Sequence, residues 1–220
     1  MPTRIETMKW MTDCGMAAVI RAKSSDSLMQ VSEAIKQGGI DVIEVTMTTP
    51  NALAVIEEVA NKYGDQVLIG VGSVLDAETC RMAILSGAQF VVGPCLDRPM
   101  IEMAHRYDKP VLPGAFTPSE IKQAWDWGAD FVKVFPADVG GPSYFKAVLG
   151  PLPQIRLVPT GGVDIDTTPA FLKAGAVALC AGGALIDKKA LAEGRFDVIT
   201  ETARRFREAI DSTREEMAAG

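Results

Sequence analysis

Short apolar runs alternate along the chain with longer stretches in which apolar residues recur every three or four positions. A short run rich in β-branched residues is typical of a buried strand, whereas the longer spacing indicates an amphipathic helix. The runs predict eight strands, at residues 17–20, 42–45, 67–69, 90–92, 110–112, 131–134, 156–158 and 177–180. Eight strands that alternate with helices favour an α/β fold of the (β/α)8 TIM-barrel type.

The ends of the predicted helices carry recognisable signals. Asp76 and the pair Thr117–Pro118 are typical helix starts, and several of the intervening glycines are typical helix stops. We expect residues 1–14 to form a short helix that plugs the bottom of the barrel. Residues 194–220 are expected to form a closing helix with a frayed tail.

A doubly wound open sheet is the alternative architecture. That fold usually carries a GxGxxG turn after its first strand, and the segment "VIRAKSSDS" has none. No linker or low-complexity segment interrupts the alternation of strands and helices. We therefore expect residues 1–220 to form a single barrel domain.

Length and charge narrow the class of protein. A chain of 220 residues is long enough for one sizeable core and short for two ordinary domains. The net charge of −6 and the pI near 4.9 argue against nucleic acid or an anionic membrane as partner, because either favours a basic face. The sequence has no signal-peptide pattern and no apolar run long enough for a membrane helix. We expect a cytoplasmic protein that acts on a small molecule.

The cysteines and the single histidine make a metal site unlikely. Cys14, Cys80, Cys95 and Cys180 are far apart and form no CxxC pair, and His105 is the one histidine. We expect four buried free thiols in a reducing compartment. His105 lies at a predicted helix end, away from the chemistry, which favours a solvated or dipole-facing side chain over a catalytic base.

One lysine interrupts an otherwise apolar strand. In "DFVKVFPA", Lys133 lies between valines and phenylalanines. Strand residues alternate between two faces, and a charge facing the helix layer would be buried among apolar side chains. Lys133 should therefore point into the barrel. The same argument applies to Glu44 on the second strand, and Arg21 ends the first, so three ionisable groups are predicted to converge at one mouth.

This combination suits carbonyl chemistry. A lysine in an apolar cleft near another cation has its pKa lowered, which frees the amine to attack a ketone and form a Schiff base. A nearby carboxylate can carry protons, and an arginine can bind a substrate carboxylate through two hydrogen bonds. The alternative is a Lys133–Glu44 ion pair retained for packing.

Two glycine pairs follow the last two strands. Gly161 and Gly162 come after the seventh strand, and Gly182 and Gly183 after the eighth. Loops at these positions commonly bind phosphate in such barrels, because glycine lets backbone N–H groups surround an anion. The alternative is that they are plain turn glycines. Ser73, after the third strand, either binds a substrate carboxylate or caps the next helix.

Five segments in this order, "EVTMTTP", "GVGSVLDAETC", "LPGAFTPSE", "DFVKVFPAD" and "VPTGGV", resemble the 2-keto-3-deoxy-6-phosphogluconate (KDPG) aldolases. The family includes 4-hydroxy-2-oxoglutarate (KHG) aldolases and a phosphogalactonate-specific branch. The resemblance covers about residues 16–206. It implies a (β/α)8 fold, commonly a homotrimer, and a metal-independent class I lyase of carbohydrate metabolism that yields pyruvate and an aldehyde, as in the Entner–Doudoroff pathway.

The resemblance also implies roles for individual residues. Lys133 matches the Schiff-base lysine and Glu44 the general acid/base. Substrate-binding positions are matched by Arg21 and Ser73 at the pyruvate carboxylate, Pro94 and Phe135 at the wall of the pyruvyl pocket, Thr160 at the substrate hydroxyls, and Gly161, Gly162, Gly182 and Gly183 at the phosphate. Thr160 is typical of the gluconate branch, since the galactonate branch tends to have valine there.

Two positions depart from the family pattern. Thr48 stands where many members carry an arginine that helps to bind the anionic substrate, and Ala184 stands where some have a serine at the phosphate. Both changes remove polar contacts at the distal end of the substrate and leave the pyruvate end intact. They leave the preference for a phosphate open.

The sequence thus predicts a lyase that cleaves KDPG reversibly to pyruvate and glyceraldehyde 3-phosphate through an imine at Lys133, without metal or other cofactor. One alternative is cleavage of KHG to pyruvate and glyoxylate, or of a related and unphosphorylated keto-deoxy acid. A phosphate-binding barrel isomerase and a non-catalytic metabolite sensor are two further alternatives. Neither predicts release of pyruvate.

Overall fold

The computed structural model describes residues 2–21 and 25–220, with the side chains of residues 25 and 26 excepted. Within these residues the chain forms nine strands and ten α-helices. The strands are β1 (Met16–Ile20), β2 (Val42–Thr46), β3 (Leu68–Gly72), β4 (Val91–Val92), β5 (Val111–Leu112), β6 (Gly114–Ala115), β7 (Val132–Val134), β8 (Leu157–Pro159) and β9 (Leu179–Ala181). The helices are α1 (Arg4–Cys14), α2 (Ser25–Gln37), α3 (Ala52–Tyr63), α4 (Ala77–Leu85), α5 (Arg98–Arg106), α6 (Pro118–Asp126), α7 (Gly141–Leu149), α8 (Thr168–Lys173), α9 (Lys188–Ala192) and α10 (Phe196–Ala219).

All strand pairs are parallel, and the strands form two hydrogen-bonded sheets. One sheet has the order β5-β4-β3-β2-β1-β9, and the other has the order β6-β7-β8. The predicted fifth strand, residues 110–112, is confirmed as β5, and β6 is an additional strand that Pro113 separates from it. Proline has no N–H to donate, and its carbonyl accepts from the backbone of Lys133 at 3.0 Å. The predicted parallel α/β architecture is confirmed, but the described residues form nine strands in two sheets, and not the single closed eight-stranded barrel that was predicted.

The strand register aligns the ionisable positions of the predicted site. Glu44 of β2 lies between Val19 of β1 and Gly70 of β3. Lys133 of β7 lies between Gly114 of β6 and Val158 of β8. Every residue of β2 and β7 is buried, as expected for strands covered by helices on one face and by packed side chains on the other.

Large aromatic side chains fill the core, both inside the curved strands and beneath the helices. Phe90, Phe131, Phe145, Phe171 and Phe206 are among the largest fully buried side chains. The rings of Phe145 on α7 and Phe171 on α8 meet edge to face, with centroids 5.2 Å apart, which fixes these two helices against each other.

The N-terminal segment forms the predicted helix α1. Its start is capped by Thr3, whose side chain accepts from the backbone N–H of Glu6, while the Glu6 carboxylate accepts from the backbone of Thr3. Met11 is only 3% exposed and lines a small internal cavity together with Val42, Leu112, Phe131 and Val158. The apolar face of α1 therefore packs on the interior residues of the strands.

A buried carboxylate ties α1 to the strands. The side chain of Asp130 accepts from Arg4 at 2.7 Å, from the backbone N–H of Val111 at 3.0 Å, and lies 3.2 Å from Nε2 of His105. These contacts hold the pKa of Asp130 below its ordinary value, although burial alone would raise it. His105 lies in the last turn of α5, where the sequence predicts a solvated or dipole-facing side chain, and its pairing with this carboxylate was not predicted.

The capping signals are confirmed where the structure tests them. The side chain of Asp76 accepts from the backbone N–H of Thr79 at 2.6 Å, and Thr117 forms a capping box with Glu120. The closing helix α10 is confirmed, but it runs to Ala219, so the expected frayed tail is wrong.

The cysteine prediction needs one correction. Cys14, Cys80 and Cys180 are buried free thiols, whereas Cys95 is exposed, because it follows β4 in a surface loop. Burial raises the pKa of the three buried thiols, to about 12 for Cys80 and Cys180.

No helix in the described part of the chain is long and apolar enough to cross a membrane.

Candidate active site

Lys133 is a buried cation in the middle of β7. Only 6% of the residue is exposed, and its Nζ lies 5.2 Å from the centroid of the Phe135 ring. Lysine is rarely buried without a partner or a function. Its charge acts on Glu44 and on Cys180, so Lys133 points to the same interior space as these two residues.

Glu44 is still more deeply buried, with 1% of the residue exposed. Burial raises the pKa of its carboxyl group, and the cations of Lys133 and Arg21 oppose that rise. The Oε2 atom has no hydrogen-bond partner. An unsatisfied buried carboxyl with a raised pKa is suited to exchange protons with a bound molecule.

Lys133 and Glu44 do not form the ion pair that was considered as an alternative to a catalytic role. Among the ion pairs of residues 2–21 and 25–220, none joins Lys133 to Glu44. The two side chains are close enough to interact electrostatically, but neither neutralises the other through a direct contact. Both groups remain available for a third partner.

A cavity of about 340 Å³ brings most of the predicted substrate-binding residues together. Its lining includes Arg21 and Phe135, which is 41% exposed. The further lining residues are Val19, Thr160, Gly161, Gly162, Val163, Asp164, Cys180, Gly182, Gly183 and Ala184. The loops that follow β8 and β9 thus form one side of the cavity, as the sequence predicts.

The glycines of the β8 loop are required by backbone geometry. Gly161 and Gly162 have φ values of 93° and 69°, which favour glycine, and a Cβ on Gly162 would overlap the side chain of Asp138. Beside them, the Oγ1 atom of Thr160 is buried without a hydrogen-bond partner. A buried hydroxyl without a partner next to a cavity is a natural contact for a polar ligand.

Four predicted site residues are not among the described residues that line the cavity: the buried catalytic pair Lys133 and Glu44, and the substrate-binding candidates Ser73 and Pro94. Ser73 follows β3 with a φ of 60° and is half-buried, and Pro94 follows β4 and packs on Gly114. The alternative that Ser73 caps the next helix is wrong, since Asp76 is the cap of α4. Thr48 is exposed, and its hydroxyl lies 2.8 Å from that of Thr46.

Three residues near Lys133, Glu44 and the cavity were not predicted from the sequence. Cys180 lies near both Lys133 and Glu44, and Asp164 adds a carboxylate to the lining of the cavity. Gly72 lies directly under the carboxylate of Glu44. A signal was available for Gly72 alone, because "GVG" places two glycines on one face of a strand.

Among the described residues, no group of three or more His, Cys, Asp or Glu is placed to hold a metal ion.

Known proteins share this sequence and architecture. The family described as "Aldolase: KDPG and KHG aldolase" matches residues 7–202. The KHG/KDPG aldolase of Escherichia coli (strain K12) is 34% identical over 188 residues, which cover 84% of this chain and 87% of that protein. The 2-dehydro-3-deoxy-phosphogluconate aldolase of Haemophilus influenzae is 32% identical over 194 residues, or 88% and 90% of the two chains.

A solved structure of a KDPG aldolase has the same fold as this chain. The KDPG aldolase from Legionella pneumophila, with pyruvate captured as a covalent carbinolamine intermediate, superimposes with a TM-score of 0.83 at 27% identity. The match covers 90% of this chain and 96% of that one. With a family match over most of its length and relatives above 30% identity, this chain belongs to the KDPG and KHG aldolase family.

Proposed function

We propose that this protein is a class I aldolase that cleaves KDPG reversibly to pyruvate and glyceraldehyde 3-phosphate through a Schiff base at Lys133. The observation that carries the proposal is the pair of buried, charge-coupled side chains, Lys133 and Glu44, without a direct ion pair between them. Membership of the aldolase family and the covalent pyruvate adduct in the Legionella relative support the same chemistry.

The reaction begins at the amine of Lys133. The neutral amine attacks C2 of the keto acid and forms a carbinolamine, which loses water to give a protonated imine. Glu44 supplies the proton that leaves with the hydroxyl group as water. The iminium then acts as the electron sink, so the chemistry needs no metal ion.

Bond cleavage follows from the iminium. A base takes the proton of the C4 hydroxyl, the C3–C4 bond breaks, and its electron pair forms an enamine while the aldehyde departs. We assign this proton transfer to Glu44, acting through a water molecule. Protonation of the enamine at C3 and hydrolysis of the imine release pyruvate and restore the free amine of Lys133.

The pyruvate end of the substrate is assigned to four residues. Arg21 binds the carboxylate, since its guanidinium lines the cavity and its charge reaches Glu44. Ser73 is assigned to the same carboxylate, and Phe135 and Pro94 to the walls of the pyruvyl pocket. The ring of Phe135, 5.2 Å from Nζ of Lys133, supports its place beside the imine.

The distal end is assigned to the loops after β8 and β9. Gly161, Gly162, Gly182 and Gly183 would hold the phosphate through backbone N–H groups. The buried hydroxyl of Thr160, which has no partner of its own, supports a contact with a substrate hydroxyl.

A second candidate substrate is KHG, or a keto-deoxy acid without phosphate. Three features of the distal end favour it: Thr48 and Ala184 supply no charge, and Asp164 contributes a carboxylate that repels an anionic group. The loops supply backbone donors, but among the described residues that line the cavity Arg21 is the one cationic side chain.

We further propose that residues 1–220 form one (β/α)8 barrel domain plugged by α1. The two sheets would close the barrel where β5 meets β6 and where β8 meets β9. Pro113 alone separates β5 from β6, and a bridge between Thr160 and Cys180 links β8 to β9. The contact of Met11 with interior residues supports the plug.

We also propose a cytoplasmic homotrimer. Leu75, Met82 and Leu85, on and just before α4, are exposed apolar residues that a neighbouring subunit would cover. Light scattering on the purified protein tests the assembly.

The proposed function is tested by a panel of 2-keto-3-deoxy acids, with both C4 epimers and with or without phosphate, scored by release of pyruvate. The proposal expects KDPG to give the highest kcat/KM, and the Lys133→Met variant to release none. Fast release from KHG or from the unphosphorylated acid would establish the second candidate instead. A wild-type enzyme that releases no pyruvate from any member of the panel would refute both.

A further inference from the structure

Two glycines, Gly70 and Gly72, lie on the inward face of β3 with Val71 between them in the sequence. Gly70 and Gly72 are two residues apart, so they share one face of the strand. In the register of the sheet, Gly70 lies opposite Glu44 and Gly72 opposite Thr46. Each glycine is covered by a side chain from a neighbouring strand segment: the ring of Phe90 lies over Gly70, and the carboxylate of Glu44 lies over Gly72.

The fit at Gly72 leaves no room for a side chain. A Cβ on this residue would lie 2.8 Å from Cγ and 2.5 Å from Cδ of Glu44, and closer still to Oε1. Ordinary van der Waals contacts of a Cβ are 3.4–4 Å. The carboxylate of Glu44 therefore occupies the space that any other residue at position 72 would fill.

The surroundings restrict where else the carboxylate can go. Glu44 is almost fully buried, and the neighbouring space over Gly70 is filled by the ring of Phe90. No hydrogen bond restrains its Oε2 atom. The contact of Cγ, Cδ and Oε1 with the bare backbone of Gly72 therefore sets where the carboxylate lies.

We infer that Gly72 is a positioning residue: its lack of a side chain sets the place of the Glu44 carboxylate for proton transfer to and from the substrate. The inference rests on the proposed function, because it acts through Glu44. A misplacement of about 1 Å in an active site can lower a rate on the order of 100-fold. An alanine at position 72 requires a displacement of that size.

The substitution Gly72→Ala separates two steps of the proposed reaction. Exchange of the pyruvate methyl protons with deuterium requires proton transfer at C3 of the enamine, which is the role assigned to Glu44. Trapping of the imine by borohydride after long incubation reports how much imine is present at equilibrium, which requires the amine of Lys133 and does not depend on how fast Glu44 transfers protons. We expect exchange to fall on the order of 100-fold in Gly72→Ala, while the trapped adduct at Lys133 still forms.

Two controls show whether the effect passes through Glu44. In a double-mutant cycle, Gly72→Ala should lower exchange little further once Glu44→Gln is present, because the two changes disable one group. The control is Gly150→Ala, at the end of α7, where the backbone is right-handed helical and the nearest contact of an added Cβ is an ordinary one of 3.4 Å. That variant should exchange near the wild-type rate.

A second double variant keeps the inference testable if Gly72→Ala does not fold. Gly72→Ala/Glu44→Ala removes the overlapping atoms, so it should fold with a Tm near that of Glu44→Ala alone. Failure of this double variant to fold, with Glu44→Ala folded, would overturn the inference. So would wild-type exchange in a folded Gly72→Ala, or additive effects in the cycle. A wild-type enzyme that forms no pyruvate adduct would instead remove the proposed function, and this inference with it.

Discussion

The substitution Glu44→Gln is expected to change activity and stability in separable ways. Glutamine has nearly the same shape as glutamate but cannot exchange a proton near neutral pH. Loss of a general acid/base commonly lowers kcat on the order of 100- to 10,000-fold, which corresponds to about 3–5 kcal/mol of transition-state stabilisation. Substrate binding should change far less, because Arg21 and the glycine loops are untouched. We therefore expect a large fall in kcat with little change in KM.

The effect on stability depends on pH with a definite sign. Burial raises the pKa of Glu44 above its ordinary value of 4.5, and the unfolded chain has no such burial. Between the unfolded and folded pKa values, the folded state binds more protons than the unfolded state, so wild-type stability falls as pH rises. Glutamine does not titrate. The stability of Glu44→Gln relative to wild type should therefore increase as the pH rises above about 4.5.

Urea unfolding at a series of pH values measures this difference. All other titrating groups are shared by the two proteins, so their contributions largely cancel in the comparison. The midpoints should diverge in favour of Glu44→Gln as pH rises. A difference that stays flat, or that favours wild type more at higher pH, would refute the claim that the folded state disfavours the charged form of this carboxyl.

Two further substitutions test Asp130, which holds α1 to the strands, and Arg21, whose charge acts on Glu44. Asp130→Ala breaks a buried ion pair and leaves the N–H of Val111 without its acceptor, so we expect a loss of about 3–5 kcal/mol in urea unfolding. Asp126→Ala, which breaks an exposed i,i+4 pair, should cost less than about 1 kcal/mol, and equal losses would contradict the account. Arg21→Gln removes a cation that lowers the pKa of Glu44, so the acid limb of kcat/KM against pH should move to higher pH. An unmoved limb would contradict the coupling.

Most of the fold was predictable because local patterns and tertiary packing agree. The runs at 42–45 and 131–134 became β2 and β7, and Asp76 and Thr117 cap helices as their residue types suggest. Strand β6 was not predicted, because two residues after a proline, Gly114 and Ala115, carry no strand pattern of their own. No local pattern reveals the contacts of Asp130 with Arg4 and His105, since the first partner is 126 residues away in the chain.

The candidate site was predictable where a residue violates its local environment. Lys133 and Glu44 stand out because charged residues do not belong in buried strands, and both are indeed buried and coupled. Gly72 gives a weaker signal, because its role depends on the side chain of a neighbouring strand. Ser73 and Pro94 remain predictions based on family resemblance. They lie at the ends of β3 and β4, outside the lining of the cavity.

The central claim is that Lys133 forms an imine with a keto acid. The direct test is treatment of the wild-type protein with pyruvate and borohydride, followed by peptide mass spectrometry. We expect one irreversible pyruvyl label at Lys133, none in Lys133→Met, and none without pyruvate. Labelling at another lysine, or no label under conditions in which pyruvate is released from substrate, would contradict the account.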